Sequence, residues 1–393
     1  MKYVVPNLAD DVYSVGARDW DRRMFDALIP LPAGTTYNSY LVLGRKKALI
    51  DTVNPGFEPE LLGKLDQLMD LPTLDYVVMN HAEPDHAGAI PAVMAAAPGA
   101  RLVATRKGAE MARVLYGVPD DRVLEIGDGD TLDLGGHTLR FIEAPWLHWP
   151  ETMFTYLSER RMLFSCDFFG AHTAHGICDG DVLELPWLAR RYFGEIMMPF
   201  RSMGKKALEK IASLDIRVIA PGHGPVYRNP GKILESYRLW TSGETAEKAV
   251  LIYVSMWGST SSMIRTMAES LTNEGIDVKL HNLAVADIGE LAADLVDSRA
   301  IVLGSPTVLG GMHPLALHAA NLVRALRPPV RVGAVLSSYG WSGGALKAAS
   351  EVLGATGIQL CGSLEVRGPP SGPDHAAIVD LACRLAERIR KDG

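Results

Sequence analysis

Short apolar runs bounded by Gly, Pro, Asn or Asp recur through residues 1–245. They include Tyr40-Leu41-Val42-Leu43, Ala48-Leu49-Ile50, Tyr76-Val77-Val78-Met79, Leu102-Val103-Ala104, Leu139-Arg140-Phe141-Ile142 and Val218-Ile219-Ala220. Runs of this length with turn residues at their ends predict strands. Helical spacing is interleaved with them over 59–68 and 90–97. Short strands with helices between them predict an α/β sandwich whose helices pack outside its sheets.

The rhythm changes near Gly243-Glu244-Thr245. Beyond it apolar runs at 249–254, 278–280, 300–304, 332–336 and 358–360 alternate with helical spacing, clearest over 263–271, 288–296 and 376–390. Strict β-α alternation predicts a doubly wound parallel sheet of five strands. Two domains are therefore expected, 1–245 and 248–393, consistent with a chain too long for one ordinary domain.

Composition narrows the function classes. A formal charge of -7 argues against nucleic acid, which needs a basic face. No run of about 18 apolar residues is present, so no membrane span is expected. The start, Met1-Lys2-Tyr3-Val4-Val5-Pro6, lacks a secretory pattern. Cys166, Cys178, Cys361 and Cys383 are isolated, with no CxxC centre, which fits the reducing cytoplasm.

The candidate chemistry begins at Asn80-His81-Ala82-Glu83-Pro84-Asp85-His86, directly after a strand-like run. Four possible ligands fall within six residues, and His148, Asp167 and His223 follow other strand-like runs. A single histidine in an apolar run is more often a satisfied core residue. Seven imidazoles and carboxylates gathered at strand ends point to metal, and to two ions rather than one.

The C-terminal half offers a second site. Ligands of an open parallel sheet bind beyond the carboxyl ends of its strands. Loops follow the first, third and fourth strands there: Ser255-Met256-Trp257-Gly258-Ser259-Thr260, Ser305-Pro306-Thr307-Val308-Leu309-Gly310-Gly311, and Ser338-Tyr339-Gly340-Trp341-Ser342-Gly343-Gly344. Hydroxyls and free N–H groups at a helix start suit phosphate, and Tyr and Trp suit a flat ring. One such loop often just caps a helix; three in register suggest a flavin. No G-x-G-x-x-G follows a strand, so a dinucleotide is not expected. In the spacing of these loops the segment resembles a flavodoxin, which implies FMN.

The order of the seven ligands resembles the metallo-β-lactamase superfamily, with Glu83 where its hydrolases usually carry histidine. Imidazole-rich sites suit zinc, whereas added carboxylate makes a site harder and favours iron. Together with the flavodoxin segment, the chain resembles the flavodiiron (A-type flavoprotein) family over essentially its whole length. Gly34–Leu41, Ser165–Gly170 and Met197-Met198-Pro199-Phe200 agree.

The resemblance implies a metallo-β-lactamase-like αββα sandwich followed by a flavodoxin-like sheet, with FMN and two non-haem iron ions. His81, Glu83 and His148 would hold one iron, Asp85, His86 and His223 the other, with Asp167 bridging. Relatives differ on whether the histidine at His86 coordinates or turns away. Tyr192, His172 and His175 are candidates for groups behind the ligands. Asp26 replaces a histidine common in relatives, and Leu309 replaces an asparagine beside the flavin.

The implied function is reduction of O2 to water, NO to N2O, or both, with electrons reaching FMN from an external donor. That donor would be rubredoxin or reduced coenzyme F420. A head-to-tail homodimer, or a dimer of dimers, would bring the flavin of one subunit to the irons of the next. The alternatives are a zinc metallohydrolase of glyoxalase or lactamase type with an accessory flavodoxin, and an electron-transfer flavoprotein alone.

Overall fold

The computed structural model describes residues 2–391. It divides into two compact units: the chain up to Phe193 together with Phe200–Thr241, and Gly194–Pro199 together with the chain from Ser242.

The first unit is built on two sheets. One has seven strands, in the order Asn7–Ala9, Val12–Ser14, Tyr40–Leu43, Lys47–Ile50, Tyr76–Val78, Arg101–Thr105 and Val123–Ile126. The other has five, Thr131–Asp133, Thr138–Glu143, Met153–Leu157, Met162–Cys166 and Val218–Pro221. Successive side chains of a strand point to opposite faces, and the buried residues divide accordingly. Val42, Ala48, Ile50, Val78 and Val103 pack with Phe141, Met153, Leu157, Met162 and Phe164 between the sheets. Their neighbours Leu41, Leu49, Val77, Leu102 and Ala104 face the other way, against Leu61 and Leu65 of helix Glu58–Asp66, Val93 of Ile90–Ala96 and Ala112 of Arg106–Tyr116.

The second unit has five parallel strands in the order Asp277–Asn282, Ala246–Tyr253, Ser298–Val308, Val332–Tyr339 and Gln359–Arg367. The strand that comes first in sequence thus lies second from the edge, the doubly wound order. Leu251, Val302, Ala334 and Leu336 meet Met263, Met267 and Leu271 of helix Ser259–Asn273 and Ile378, Leu381 and Leu385 of helix Gly372–Lys391. Val250, Ile252, Ile301, Leu303 and Val335 are as deeply buried on the opposite face, as both faces of a parallel sheet must be.

Three expectations change. The fourth strand, expected over 332–336, runs to Tyr339, so Ser338 and Tyr339 are strand, not loop. The third strand does not end at 304 but runs to Val308 and turns back through Gly311–Met312, so Ser305–Val308 are strand, not loop. Pairing with the fourth strand as far as Pro306–Ser338 sustains this extension. The fifth strand runs well past 360. Among the described residues no helix is long and apolar enough to cross a membrane.

Candidate metal and flavin sites

Each candidate ligand is set by a strand end. After Tyr76–Val78, the Asn80 backbone and side-chain N–H groups donate to the two Asp51 carboxylate oxygens at 2.7 and 2.9 Å, and Thr155 Oγ1 donates to Asn80 Oδ1 at 2.7 Å. The loop therefore leaves the sheet in one direction. Glu83 is extended and precedes helix Pro84–Ala87, whose first residue is proline, as favoured at that position. Extended backbone puts His81 and Glu83 on one side, and the helical turn swings Asp85 and His86 to another. His148 comes from the loop between Thr138–Glu143 and Met153–Leu157, Asp167 follows Met162–Cys166, and His223 follows Val218–Pro221.

The side chains converge in two groups. His81, Glu83, His148 and Asp167 have ligand atoms within 4.8 Å of one another, as do Asp85, His86 and His223. Asp167 faces both. Its Oδ2 lies 3.3 Å from His81 Nε2 and 3.4 Å from His148 Nε2, while Oδ1 lies 2.9 Å from His86 Nε2 and 3.4 Å from His223 Nε2. His86 turns inward, its Nε2 3.6 Å from Asp85 Oδ1.

The donor set fits a pair of cations. Both Asp85 oxygens, Asp167 Oδ2 and both His86 nitrogens are buried without a hydrogen-bond partner, an arrangement that costs free energy unless something else meets them. Protons take part of that role here. Burial disfavours a charged His81, but hydrogen bonds to Glu151 and Glu83 outweigh it and push its pKa up to about 10. For His148, burial is likewise outweighed, by Asp167 and Glu83, again to about 10. Asp167 stays ionised, well below the usual carboxylate range, because the surrounding imidazoles overcome its burial.

Groups behind the ligands complete the site. His223 Nδ1 donates to Thr36 O at 2.6 Å, and Tyr192 OH donates to Asp167 Oδ1 at 2.9 Å. His172 is buried against Tyr192 and His223, with ring centroids 4.8 Å away in each case, and its Nδ1 is 2.9 Å from Thr35 Oγ1. His175 is exposed and meets only the edge of Trp20 among rings. Asp26 lies in the turn after Phe25, whose ring packs on His172 at 5.0 Å. Burial, then the charge of Glu83, raises its pKa. Sequence reasoning missed Glu151, whose Oε1 is 2.8 Å from His81 Nδ1. Its position three residues after His148 was the available signal.

In the second unit a cavity of about 340 Å³ is lined by Ser255, Met256, Trp257, Ser259, Thr260, Pro306, Thr307, Ser338, Tyr339, Gly340 and Trp341. Gly368 and Pro369, after the fifth strand, also line it and were not anticipated. Gly258, with φ 91, precedes the helix, and Thr260 Oγ1 is 2.9 Å from Ser338 Oγ. Free N–H groups, hydroxyls and three aromatic rings fit a phosphate and a planar ring system. Gly258, Ser305, Val308, Leu309, Gly310, Gly311, Ser342 and Gly343 do not line the cavity. Ser305 Oγ is taken up by His313 N, Leu309 is fully exposed, and Gly343 backs onto Glu365.

A lactamase-like sandwich with a cluster of candidate metal ligands, and a flavodoxin-like sheet in the same chain, define the class. Residues 35–224 match the model of the ODP family beta lactamase. The chain is 38% identical to the nitric oxide reductase of Moorella thermoacetica, covering 97% of this chain and 98% of that protein. Its fold matches the rubredoxin oxygen:oxidoreductase of Desulfovibrio gigas with a TM-score of 0.95, at 30% identity and 99% coverage of both chains. It matches the flavodiiron protein of Giardia intestinalis at 0.92, also at 30% identity, over 100% of each. The chain belongs to the flavodiiron protein family.

Proposed function

We propose that this oxidoreductase reduces O2 to water, NO to N2O, or both, with electrons that arrive through FMN from an external donor. The observation that carries the reading is Asp167, with one oxygen toward each ligand group, beside Glu83 in the first. His81, Glu83 and His148 would hold one iron, Asp85, His86 and His223 the second, and Asp167 would bridge them. Residues 1–245 would form the diiron domain and 248–393 the FMN domain. When bound, the flavin supplies single-electron transfer and the iron pair supplies the reducing electrons to the gas.

The chain's own groups prepare that chemistry. Glu83, Asp85 and Asp167 would offset the positive charge that two cations would bring to a buried place. The Tyr192 hydroxyl, donating to Asp167 Oδ1, fixes the orientation of the bridging carboxylate. Thr36 O orients His223 with Nε2 toward Asp85 and Asp167, where it would be a ligand. His172 is held neutral, well below its ordinary pKa, first by burial and then by His223, so it adds no charge beside the ligands.

The relative from Desulfovibrio is named for rubredoxin, which supports a rubredoxin-type donor here. A head-to-tail homodimer would place the flavin of one subunit against the iron site of its partner. The decisive experiment measures iron, zinc and FMN content, then steady-state consumption of O2 and of NO with reduced rubredoxin. Two irons, one flavin and turnover of either gas are expected. Two zinc ions without iron would favour a hydrolase instead.

A further inference from the structure

Three histidines of the metal site, His81, His223 and His86, differ in what backs them. His81 Nδ1 faces a carboxylate, Glu151 Oε1, at 2.8 Å. His223 Nδ1 donates to a neutral carbonyl, and His86 Nδ1 has no hydrogen-bond partner. Among the described residues, the ion pairs of His86, His148 and His223 all run through Nε2.

Glu151 is held as a built feature. Ala82 N donates to the same Oε1 at 2.8 Å. Thr105, which caps helix Arg106–Tyr116 by accepting from Gly108 N, donates from Oγ1 to Glu151 O at 3.0 Å. From the other end of that helix, Tyr116 OH donates to Ala82 O at 2.6 Å. One helix thus holds the backbone of Glu151 at one end and the backbone beside His81 at the other. Glu151 Oε2 is buried without a protein partner, and Glu151 lines a polar cavity of about 370 Å³ with Arg106, Lys107, Glu110 and Glu143.

A carboxylate accepting the far N–H of a ligand imidazole fixes its tautomer and raises its basicity. A more basic ligand stabilises the higher oxidation state of its metal. We propose that Glu151 is a positioning residue that makes the two irons inequivalent, so that the ion held by His81, Glu83 and His148 has the lower potential and is oxidised first. The proposal rests on the iron reading above. In each oxidation one electron leaves a ferrous ion, which becomes ferric, and passes to a redox mediator.

Redox titration of the iron-loaded protein, followed by EPR and Mössbauer spectroscopy, tests this. Glu151→Gln keeps an acceptor oxygen and removes the charge. Its first oxidation should move to higher potential while the second moves less, so the largest attainable fraction of half-oxidised centre falls. Glu151→Asp, which keeps the charge but retracts it, should shift the same couple in the same direction by less. If the Gln variant does not retain iron, the Asp variant carries the test. Coincident titrations, or two couples shifting equally, would overturn the proposal with iron still present. Zinc in the wild-type site would instead remove the iron reading, and this proposal with it.

Discussion

Gly222 shows how little room surrounds the second group of ligands. A Cβ there would lie 2.6 Å from His86 Cε1 and 3.0 Å from its Nδ1. The backbone cannot yield easily, because Gly222 N donates to Cys166 O at 2.6 Å and Gly222 O accepts from Asn38 N at 2.9 Å. Gly222→Ala should therefore push the His86 ring out, and bound metal should fall from two ions per chain toward one by elemental analysis. Two ions retained would show that His86 is not needed. Glu83 poses the complementary question, since its Oε2 sits 2.9 Å from His148 Nε2 and 3.1 Å from His81 Nε2. Replacing that carboxylate by imidazole softens the first group. Glu83→His loaded from an equal mixture of ferrous iron and zinc should bind a larger share of zinc than the parent; an unchanged ratio would remove Glu83 as the selecting residue. These side chains were legible because each follows an apolar run. Glu151 was missed because its one signal, a place three residues after His148, does not reveal its partner, His81, 70 residues away.

At the scale of elements, the strands announced themselves by burial, and their ends were misplaced where burial and pattern part. The fifth strand reads as 358–360 but spans Gln359–Arg367, because Gly362, Ser363 and Glu365 break its apolar run on a half-exposed sheet edge. That error hid Gly368 and Pro369, which a correct strand end would have placed in the cavity. The third strand misled differently, since its last residues continue pairing where the sequence offers Pro306 and Thr307. Glu365 matters to this end of the sheet. Its Oε1 is 3.3 Å from Ser337 Oγ and 3.4 Å from Gly344 N, tying the loop after the fourth strand to the fifth. A Cβ on Gly343 would come within 2.8 Å of the Glu365 carboxyl carbon, so Gly343→Ala should push the carboxylate off Gly344 N and untie that loop from the fifth strand. FMN affinity, measured by fluorescence quenching on the flavin-free protein, should weaken about tenfold, or roughly 1.4 kcal/mol. An unchanged affinity would mean the loop does not shape the flavin site.

For the molecule as a whole, the metal site couples cation binding to proton binding and to stability. Without metal, the buried carboxylates keep protons on His81 and His148, both pushed from an ordinary value near 6.5 up to about 10. The sign follows from which state binds protons more tightly. Between the two values the folded chain holds protons that the unfolded chain has released, so stability falls as pH rises. The contribution is fully present below 6.5 and lost on passing through about 10. Metal reverses the dependence, because ligand imidazoles must give up those protons, so binding releases protons and strengthens as pH rises. The metal-free protein should therefore show a melting temperature that drops steadily from pH 7 to pH 10, while the iron-loaded protein, kept anaerobic, changes much less. Calorimetry of both forms in buffers of different ionisation enthalpy checks the proton release directly. A metal-free protein whose melting temperature is flat over that range would mean that the carboxylates are not holding those two imidazoles charged.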